Sequence, residues 1–329
     1  MDKQGDSHRG RHRSSRGGRN RHREVVGELG DDEAKRERRR ARFAREDSQI
    51  QRDKSKEFGL ISRGEDLRLQ NDARARRSLY RETIEKVKLF QSVPGTKGIT
   101  KDGIAMDFRK LRESILKMPP DDFSRKVLLS SVRFSVSVGH YQSYVPAIRK
   151  LLDIQEVLEK NELEEIWSYL VLHVFHFGRE YERGFKMYFE HVSEIERQMV
   201  GVGKESSIKD FTNAQILYRL LRSYIKEDYY DWLVVYKYLS LEADPQRSNY
   251  FAILKATAYM GVMQAVVDRL EGAFFVLQKS IVEKLAHMEY KTLVKTFSLK
   301  WSLNESTNIV TLRERMVQKS VKTCSAAVK

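Results

Sequence analysis

The sequence predicts an all-α protein in which helical hairpins stack on one another. Apolar residues recur every three or four positions from Ile104 to about Leu299, which is the spacing of successive amphipathic helices. Only 5 of the 329 residues are proline, and no convincing alternation of apolar and polar residues precedes position 300. A globular helical bundle is compatible with the same periodicity.

The composition adds a strong positive charge to this predicted fold. The formal net charge is +15 and the isoelectric point is near 9.7. Such a balance favours a polyanionic partner, namely a nucleic acid, an anionic membrane surface or an acidic protein. Cys324 is the single cysteine, so the chain has no disulfide framework or cysteine-based metal site, and we expect a reducing compartment.

The first 30 residues are predicted to form a disordered basic tail. Residues 1–23 carry eight basic and two acidic side chains and almost no apolar surface to offset the entropy of ordering. The stretch "SRGGRNR" is similar to a fragment of an Arg-Gly box, in which arginine grips phosphates and stacks on bases. A solubilising or nuclear-targeting tail is the alternative. The arginines predicted to contact RNA are Arg9, Arg11, Arg13, Arg16, Arg19, Arg21 and Arg23.

Residues 31–91 are predicted to form a charged helical extension. Acidic and basic residues lie three and four positions apart in 31–57, which supports a solvated helix, and a weak apolar stripe begins near Ile61. One proline and three glycines in "SVPGTKGITKDG" predict a linker at 92–103.

A helical-repeat domain is predicted over residues 104–286. Its helices pair into units of about 35–40 residues without a repeating signature, as in a degenerate tetratricopeptide array. The predicted helices are 105–117, 121–137, 142–159, 161–177, 179–199, 208–226, 228–241, 247–262, 265–286 and 288–298.

No motif in the chain predicts catalysis, a metal site or a cofactor. His173, His176 and Glu180 have a spacing that could hold zinc, but H-E-x-x-H is absent and the flanking residues are aromatic. Two partly buried helix histidines explain the pattern better. The stretch "VGVGKESS" lacks the complete phosphate-binding loop. We therefore predict a non-enzyme with no small-molecule substrate. No apolar run approaches the roughly 18 residues of a membrane span, and no membrane partner is predicted.

The stretch "DFTNAQILY" at 210–218 resembles a motif of the GANP family, the mRNA-associated branch of the PCI-domain proteins. Ala214 and Gln215 stand where the family often has Tyr and Arg. Further similar stretches follow in the same order, namely "LEADP" at 241–245, "FAILKATAYMGVMQAVVDRL" at 251–270 and "MEYKTLVKTF" at 288–297. The residues that match the motif are Asp210, Phe211, Ile216, Leu217 and Tyr218.

The resemblance implies a helical-hairpin stack capped by a winged helix, here within 287–322. "NIVTLRERM" would supply a strand running into a helix, and few residues remain for a full wing. The implied function is a non-catalytic scaffold in nuclear mRNA processing, transcription-coupled mRNP assembly or export. Its implied partners are RNA, another PCI-type subunit and a small acidic companion protein.

The C-terminal end is basic, as a nucleic-acid surface would be. Ten basic and four acidic residues lie between Lys279 and Lys329, and Lys284, Lys291 and Lys295 share helical spacing. A solvated face is the alternative. The residues predicted to bind RNA are Lys284, Lys291, Lys295, Lys300, Arg313, Arg315 and Lys319.

A second function fits the same sequence. In it, the Arg-rich N-terminal extension anchors a structural subunit in a large ribonucleoprotein, and the helical domain contacts only protein.

Overall fold

The computed structural model describes residues 58–64, 66–92, 98–194 and 208–314, and most of them are helical. The predicted all-α class is confirmed at the level of helix content, with three short strands near the end of the described chain. Apart from Phe58, the described residues belong to one compact unit that begins at Gly59. The predicted tail at 1–30 lies outside the described residues.

The first half of the described chain contains helices α1 to α7. Helices α6 and α7 each continue into a π-helical turn, at His173–Phe177 and Tyr188–Val192 respectively. The helix bounds are α1 Arg68–Asn71, α2 Ala73–Ser92, α3 Lys101–Ile115, α4 Asp122–Ser137, α5 Tyr141–Asp153, α6 Lys160–Leu172 and α7 Tyr181–Met187.

The second half contains six helices and a small antiparallel sheet. Strand β3 lies between β1 and β2, with Val310 opposite Leu277 on one side and Leu303 on the other. In chain order the elements are α8 Asn213–Ile225, α9 Tyr229–Leu241, α10 Pro245–Thr257, α11 Tyr259–Ala273, β1 Val276–Gln278, α12 Lys279–Ala286, α13 Tyr290–Phe297, β2 Ser302–Asn304 and β3 Ile309–Thr311.

Side-chain caps set the start of several helices. Asp121 caps α4 in a reciprocal box with Ser124, and Asp244 caps α10 with a proline at the first helical position. Thr212 accepts from the backbone N–H of Gln215 at 3.2 Å, and the Gln215 side chain accepts from Thr212 N–H at 3.0 Å. The long helix therefore starts at Asn213, later than the predicted start at 208, since residues 208–210 form a separate 3-10 turn.

Helices pack mainly on their neighbours in sequence, and α10 is the main exception. Helix α10 lies against α4 and α6 as well as α9 and α11. Its Tyr250 is fully buried, with its ring edge-on to that of Tyr169 at 5.9 Å between centroids. This long-range packing joins the two halves of the described chain in one core.

The predicted helix at 265–286 is wrong. Helix α11 ends at Ala273, Phe274 is extended, and β1 then pairs with β3 before α12 begins. The periodicity of the sequence does not indicate this break because the chain stays apolar from Phe274 to Leu277. The strand is defined by its pairing with β3, which lies more than 30 residues later. The predicted helix at 247–262 is also interrupted, at Ala258, where α10 gives way to α11.

Helix α2, within the predicted charged extension, packs against α3 and contacts α4. Leu79 is buried, Lys86 pairs with Asp107 at 2.7 Å, and the Tyr80 hydroxyl lies 2.9 Å from Ser130 Oγ. The domain boundaries stay predictions, and part of the predicted linker, 93–97, lies outside the described residues.

None of the described helices is by itself long and apolar enough to cross a membrane. Only α10 and α11 taken together pass that test of length and composition, with a 61° bend between them.

Candidate nucleic-acid-binding surface

Helix α13 is held in place by buried side chains on one face. Tyr290 and Leu293 are buried, and the Tyr290 backbone N–H donates to Glu283 Oε1 at 2.9 Å. The chain leaving α13 is fixed by Trp301, whose indole N–H donates to Glu271 Oε1 of α11 at 2.7 Å. The other face of α13 is therefore presented by a well-anchored helix.

The exposed face of α13 combines lysines with hydroxyl groups. Lys291 and Lys295 lie four residues apart on this face, next to the exposed Thr292 and Thr296. Lys300 is exposed just after the helix. Residues 290–300 include no acidic residue, and these lysines make no ion pair within the described part of the chain. We call Lys291, Thr292, Lys295, Thr296 and Lys300 the α13 surface.

Lys284 lies on a separate helix from Lys291 and Lys295, so the shared spacing of the three lysines does not run along one continuous helix. Helix α12 ends at Ala286 and His287 adopts a left-handed conformation (φ 49°), which separates the two helices. Lys284 lines a shallow pocket of about 430 Å³ together with Lys237, His287 and two carboxylates, those of Glu283 and Glu289. Those carboxylates reduce the local positive potential.

Arg313, predicted to bind RNA, is exposed and also makes contacts within the protein. Its Nη2 donates to the Gly272 carbonyl at 3.0 Å, and its guanidinium lies 4.3 Å from the ring centroid of Phe275. These contacts fasten the end of β3 to the last turn of α11 and to the segment that precedes β1. Arg315, Lys319 and the seven arginines from Arg9 to Arg23 lie outside the described residues.

The residues of the family motif divide into buried and exposed positions. Ile216 and Leu217 are fully buried in the core, whereas Asp210 is exposed in the 3-10 turn before α8. Phe211 is half-buried and has the Arg219 guanidinium over its ring at 5.7 Å. Tyr218 is partly exposed, and its ring stacks on Tyr188 of the π-helical turn after α7 at 5.6 Å.

Arg247 of α10 connects two of the stretches that carry the family resemblance. Its Nε donates to Asn213 Oδ1 at 3.0 Å, and its Nη2 donates to the Phe211 carbonyl at 2.7 Å. Its own backbone N–H donates to the capping carboxylate of Asp244 at 2.9 Å. The "DFTN" and "EADP" segments thus meet at one arginine that the sequence analysis did not single out. The sequence offered one signal for this role: Arg247 is a basic residue three positions after Asp244 of the Asp-Pro cap.

The candidate zinc histidines belong to an aromatic cluster. His173 Nδ1 lies 2.9 Å from the Tyr144 hydroxyl, and its ring stacks on Phe177. His176 is buried without a hydrogen-bond partner for either nitrogen, and burial lowers its pKa to about 3. Among the described residues, no group of three or more His, Cys, Asp and Glu side chains could hold a metal ion.

No protein-family model matches this sequence, and a search of curated proteins finds no match either. The family resemblance therefore rests on the quoted residues alone.

Proposed function

We propose that the chain is a non-catalytic scaffold of the PCI type, related to the GANP family, that binds RNA through the α13 surface. It would act in nuclear mRNA processing, transcription-coupled mRNP assembly or export, together with another PCI-type subunit and a small acidic companion protein. The basic N-terminal arginines would add affinity that does not depend on RNA sequence.

The order of elements at the C-terminal end supports a winged helix within this proposal. Helix α11, strand β1, helices α12 and α13, and strands β2 and β3 follow one another, with the sheet ordered β1–β3–β2. In this proposal α13 is the nucleic-acid-facing helix and the short turn at 305–308 is the wing. That turn carries Glu305 and no basic residue, so α13 would provide the positive charge.

The observation that carries the proposal is the uncompensated charge of the α13 surface. Lysines that form no ion pair within a protein are available to neutralise phosphates, and the release of the cations condensed on the nucleic acid then drives binding. The neighbouring threonine hydroxyls suit contacts to phosphate oxygens and sugars, which set position without specifying sequence.

The exposed apolar residues beside β1 support the proposed PCI-type partner. Strand β1 lies at an edge of the sheet, and Val276, Ile281 and Ile309 are between 38% and 54% exposed. A partner subunit that covers this edge would bury apolar surface and satisfy free backbone groups.

The test measures affinity for an unstructured single-stranded RNA over a range of salt concentrations. In a Lys291→Ala/Lys295→Ala/Lys300→Ala variant of the full chain, we expect weaker binding and a salt slope smaller by about 2, from roughly 0.7 per lost phosphate contact. A matched variant, Lys101→Ala/Lys117→Ala/Lys226→Ala, removes the same charge from exposed positions elsewhere and should keep most of the slope. Equal losses in the two variants would reduce the effect to net charge and contradict a role for α13.

Deletion of residues 1–57 separates the proposal from the structural alternative. Leu60 is buried and the Gly59 backbone N–H donates to Asp66, so the deletion stops before these residues. Residual RNA binding that the α13 substitutions remove supports the scaffold proposed above. Complete loss of RNA binding on deletion, with no effect of the α13 substitutions, supports a protein-only subunit anchored by its Arg-rich extension.

A further inference from the structure

A cavity of about 490 Å³ lies between helices α3, α4 and α5 and belongs to none of the surfaces described above. Its apolar lining is aliphatic. It includes Met106 and Leu116, both more than one-third exposed, and Pro146 and Ala147 of α5. No Phe, Tyr or Trp ring lines it among the described residues. Its volume falls within the usual range for ligand sites.

Arg112 brings an unpaired positive charge to the cavity lining. One Nη1 hydrogen bond goes to Ser131 Oγ, and no carboxylate pairs with the guanidinium in the described part of the chain. The next residue, Glu113, is already occupied. Its carboxylate accepts from Ser62 N–H at 3.0 Å, Ser62 Oγ at 2.9 Å and Arg109 Nε at 3.0 Å.

Partial burial makes this unpaired charge costly. Desolvation is the largest cause that lowers the pKa of Arg112 to about 10; the positive charge of Arg109 contributes to the lowering, and the Glu113 carboxylate opposes it. Buried charges are normally paired, and removing a cation from water without a partner destabilises the fold. An anion held against Arg112 would supply the missing partner.

Other groups on the cavity wall favour an anion as well. In the described part of the chain, Lys150 makes one ion pair, with Asp153 at 3.9 Å. His140 Nδ1 is buried without a hydrogen-bond partner in the described chain. The first turn of the 13-residue helix α5 contributes Gln142 and Ser143, so the positive end of that helix dipole also lies at the cavity.

We propose that this cavity binds the C-terminal carboxylate of a partner peptide whose last residue is aliphatic. The planar fork of an arginine pairs with both oxygens of a carboxylate, and the aliphatic wall suits the side chain beside it. The inference does not depend on RNA binding, since it uses no residue of the α13 surface.

Charge and shape select this ligand over the alternatives. Three cations and two carboxylates line the cavity, which leaves one positive charge in excess and matches a monoanion better than a phosphate dianion. A nucleotide base would find no aromatic ring on which to stack. The lining cations are Arg109, Arg112 and Lys150, and the carboxylates are Asp102 and Glu113.

The experiment follows the Met106 methyl group by NMR in the full chain labelled with ¹³C-methyl methionine. The probes are N-acetyl-alanyl-leucine with a free carboxylate, the same compound as its amide, and inorganic phosphate. We expect the free acid to shift the Met106 signal saturably at up to about 10 mM, and the amide and phosphate to shift it little. A Met106→Leu variant assigns the signal.

Two variants locate the binding charge. Arg112→Met should weaken binding of the free acid at least tenfold, and Arg112→Lys should also weaken it because the planar fork is lost. Arg183→Met on α7, where the side chain is exposed, is the matched control and should bind as the parent chain does. Circular dichroism verifies that each variant is folded, and Arg112→Lys keeps the test decisive if Arg112→Met unfolds.

Three results would overturn the inference. One is equal shifts with acid and amide, which would mean that the cavity takes only the apolar group. Another is a stronger response to phosphate than to the acid. The last is no shift with either compound over the full titration.

Discussion

At the scale of single residues, Arg247 shows how a side chain outside a motif can hold that motif together. It donates hydrogen bonds to the Phe211 carbonyl, just before α8, and to the side chain of Asn213. Arg247 itself lies in the first turn of α10. Its Nη1 also donates to the Tyr238 hydroxyl of α9. Three helices therefore depend on one guanidinium for their relative placement.

Replacing Arg247 with lysine tests this role. Lysine cannot supply donors in the same fork, so the half-buried acceptors lose partners and the free energy of unfolding should fall by about 1–3 kcal/mol. Arg222→Lys, at an exposed position of α8, is the matched control and should change stability by no more than about 0.5 kcal/mol. Urea unfolding measures both, and equal effects would show that Arg247 has no special role.

At the scale of elements, the π-helical turn after α6 positions an aromatic cluster against α7. Phe175 in this turn is fully buried and contacts the rings of Tyr181, Phe185 and Tyr224. The α7 backbone comes so close that a Cβ on Gly184 would lie 2.9 Å from Phe175 Cδ2 and 3.1 Å from its Cβ. Glycine is required here by close approach, since its φ is not positive.

Substituting two helical glycines by alanine separates close approach from helix propensity. Gly184→Ala gains about 0.5–1 kcal/mol from helix propensity but forces the Phe175 cluster apart, for a net loss of about 1–2 kcal/mol. Gly261→Ala in α11 meets nothing within 4 Å and should stabilise the protein by about 0.5–1 kcal/mol. Thermal unfolding of both variants measures the difference, and stabilisation by both would contradict the tight packing at Gly184.

At the scale of the whole molecule, buried polar groups make the free energy of unfolding depend on pH. The Tyr169 hydroxyl donates to Glu165 Oε1 at 2.8 Å and accepts from Asn249 Nδ2 at 2.8 Å, and Arg133 pairs with Glu165. This chain of bonds crosses from α4 through α6 to α10. His176 lies in the same core without any hydrogen bond, so it is the group that acid should disturb.

The pH dependence of unfolding follows from the lowered pKa of His176. The unfolded chain binds a proton near pH 6.5 and the folded chain only near pH 3, so the free energy of unfolding falls as pH drops through that window. His176 should account for about 2 kcal/mol of the loss between pH 7 and pH 5. His176→Leu should remove this part of the pH dependence. It should also remove the two buried ring nitrogens that lack hydrogen-bond partners, which cost stability at pH 7.

Urea unfolding at pH 7, 6 and 5 compares the His176→Leu variant with the parent chain. The variant should show a flatter dependence on pH than the parent chain, although His173, His191 and His287, whose pKa values are also lowered, still contribute in both. Parallel curves would show that His176 does not titrate as its burial indicates.

The sequence by itself determined the helical class and most of the helices. Periodicity and capping are local properties, so they can be recognised within a few residues. Only the tertiary structure decided that β1 interrupts a predicted helix and that Arg313 donates to the Gly272 carbonyl and packs on the Phe275 ring. Each of these depends on contacts between residues far apart in sequence, such as the pairing of β1 with β3, which no local pattern encodes.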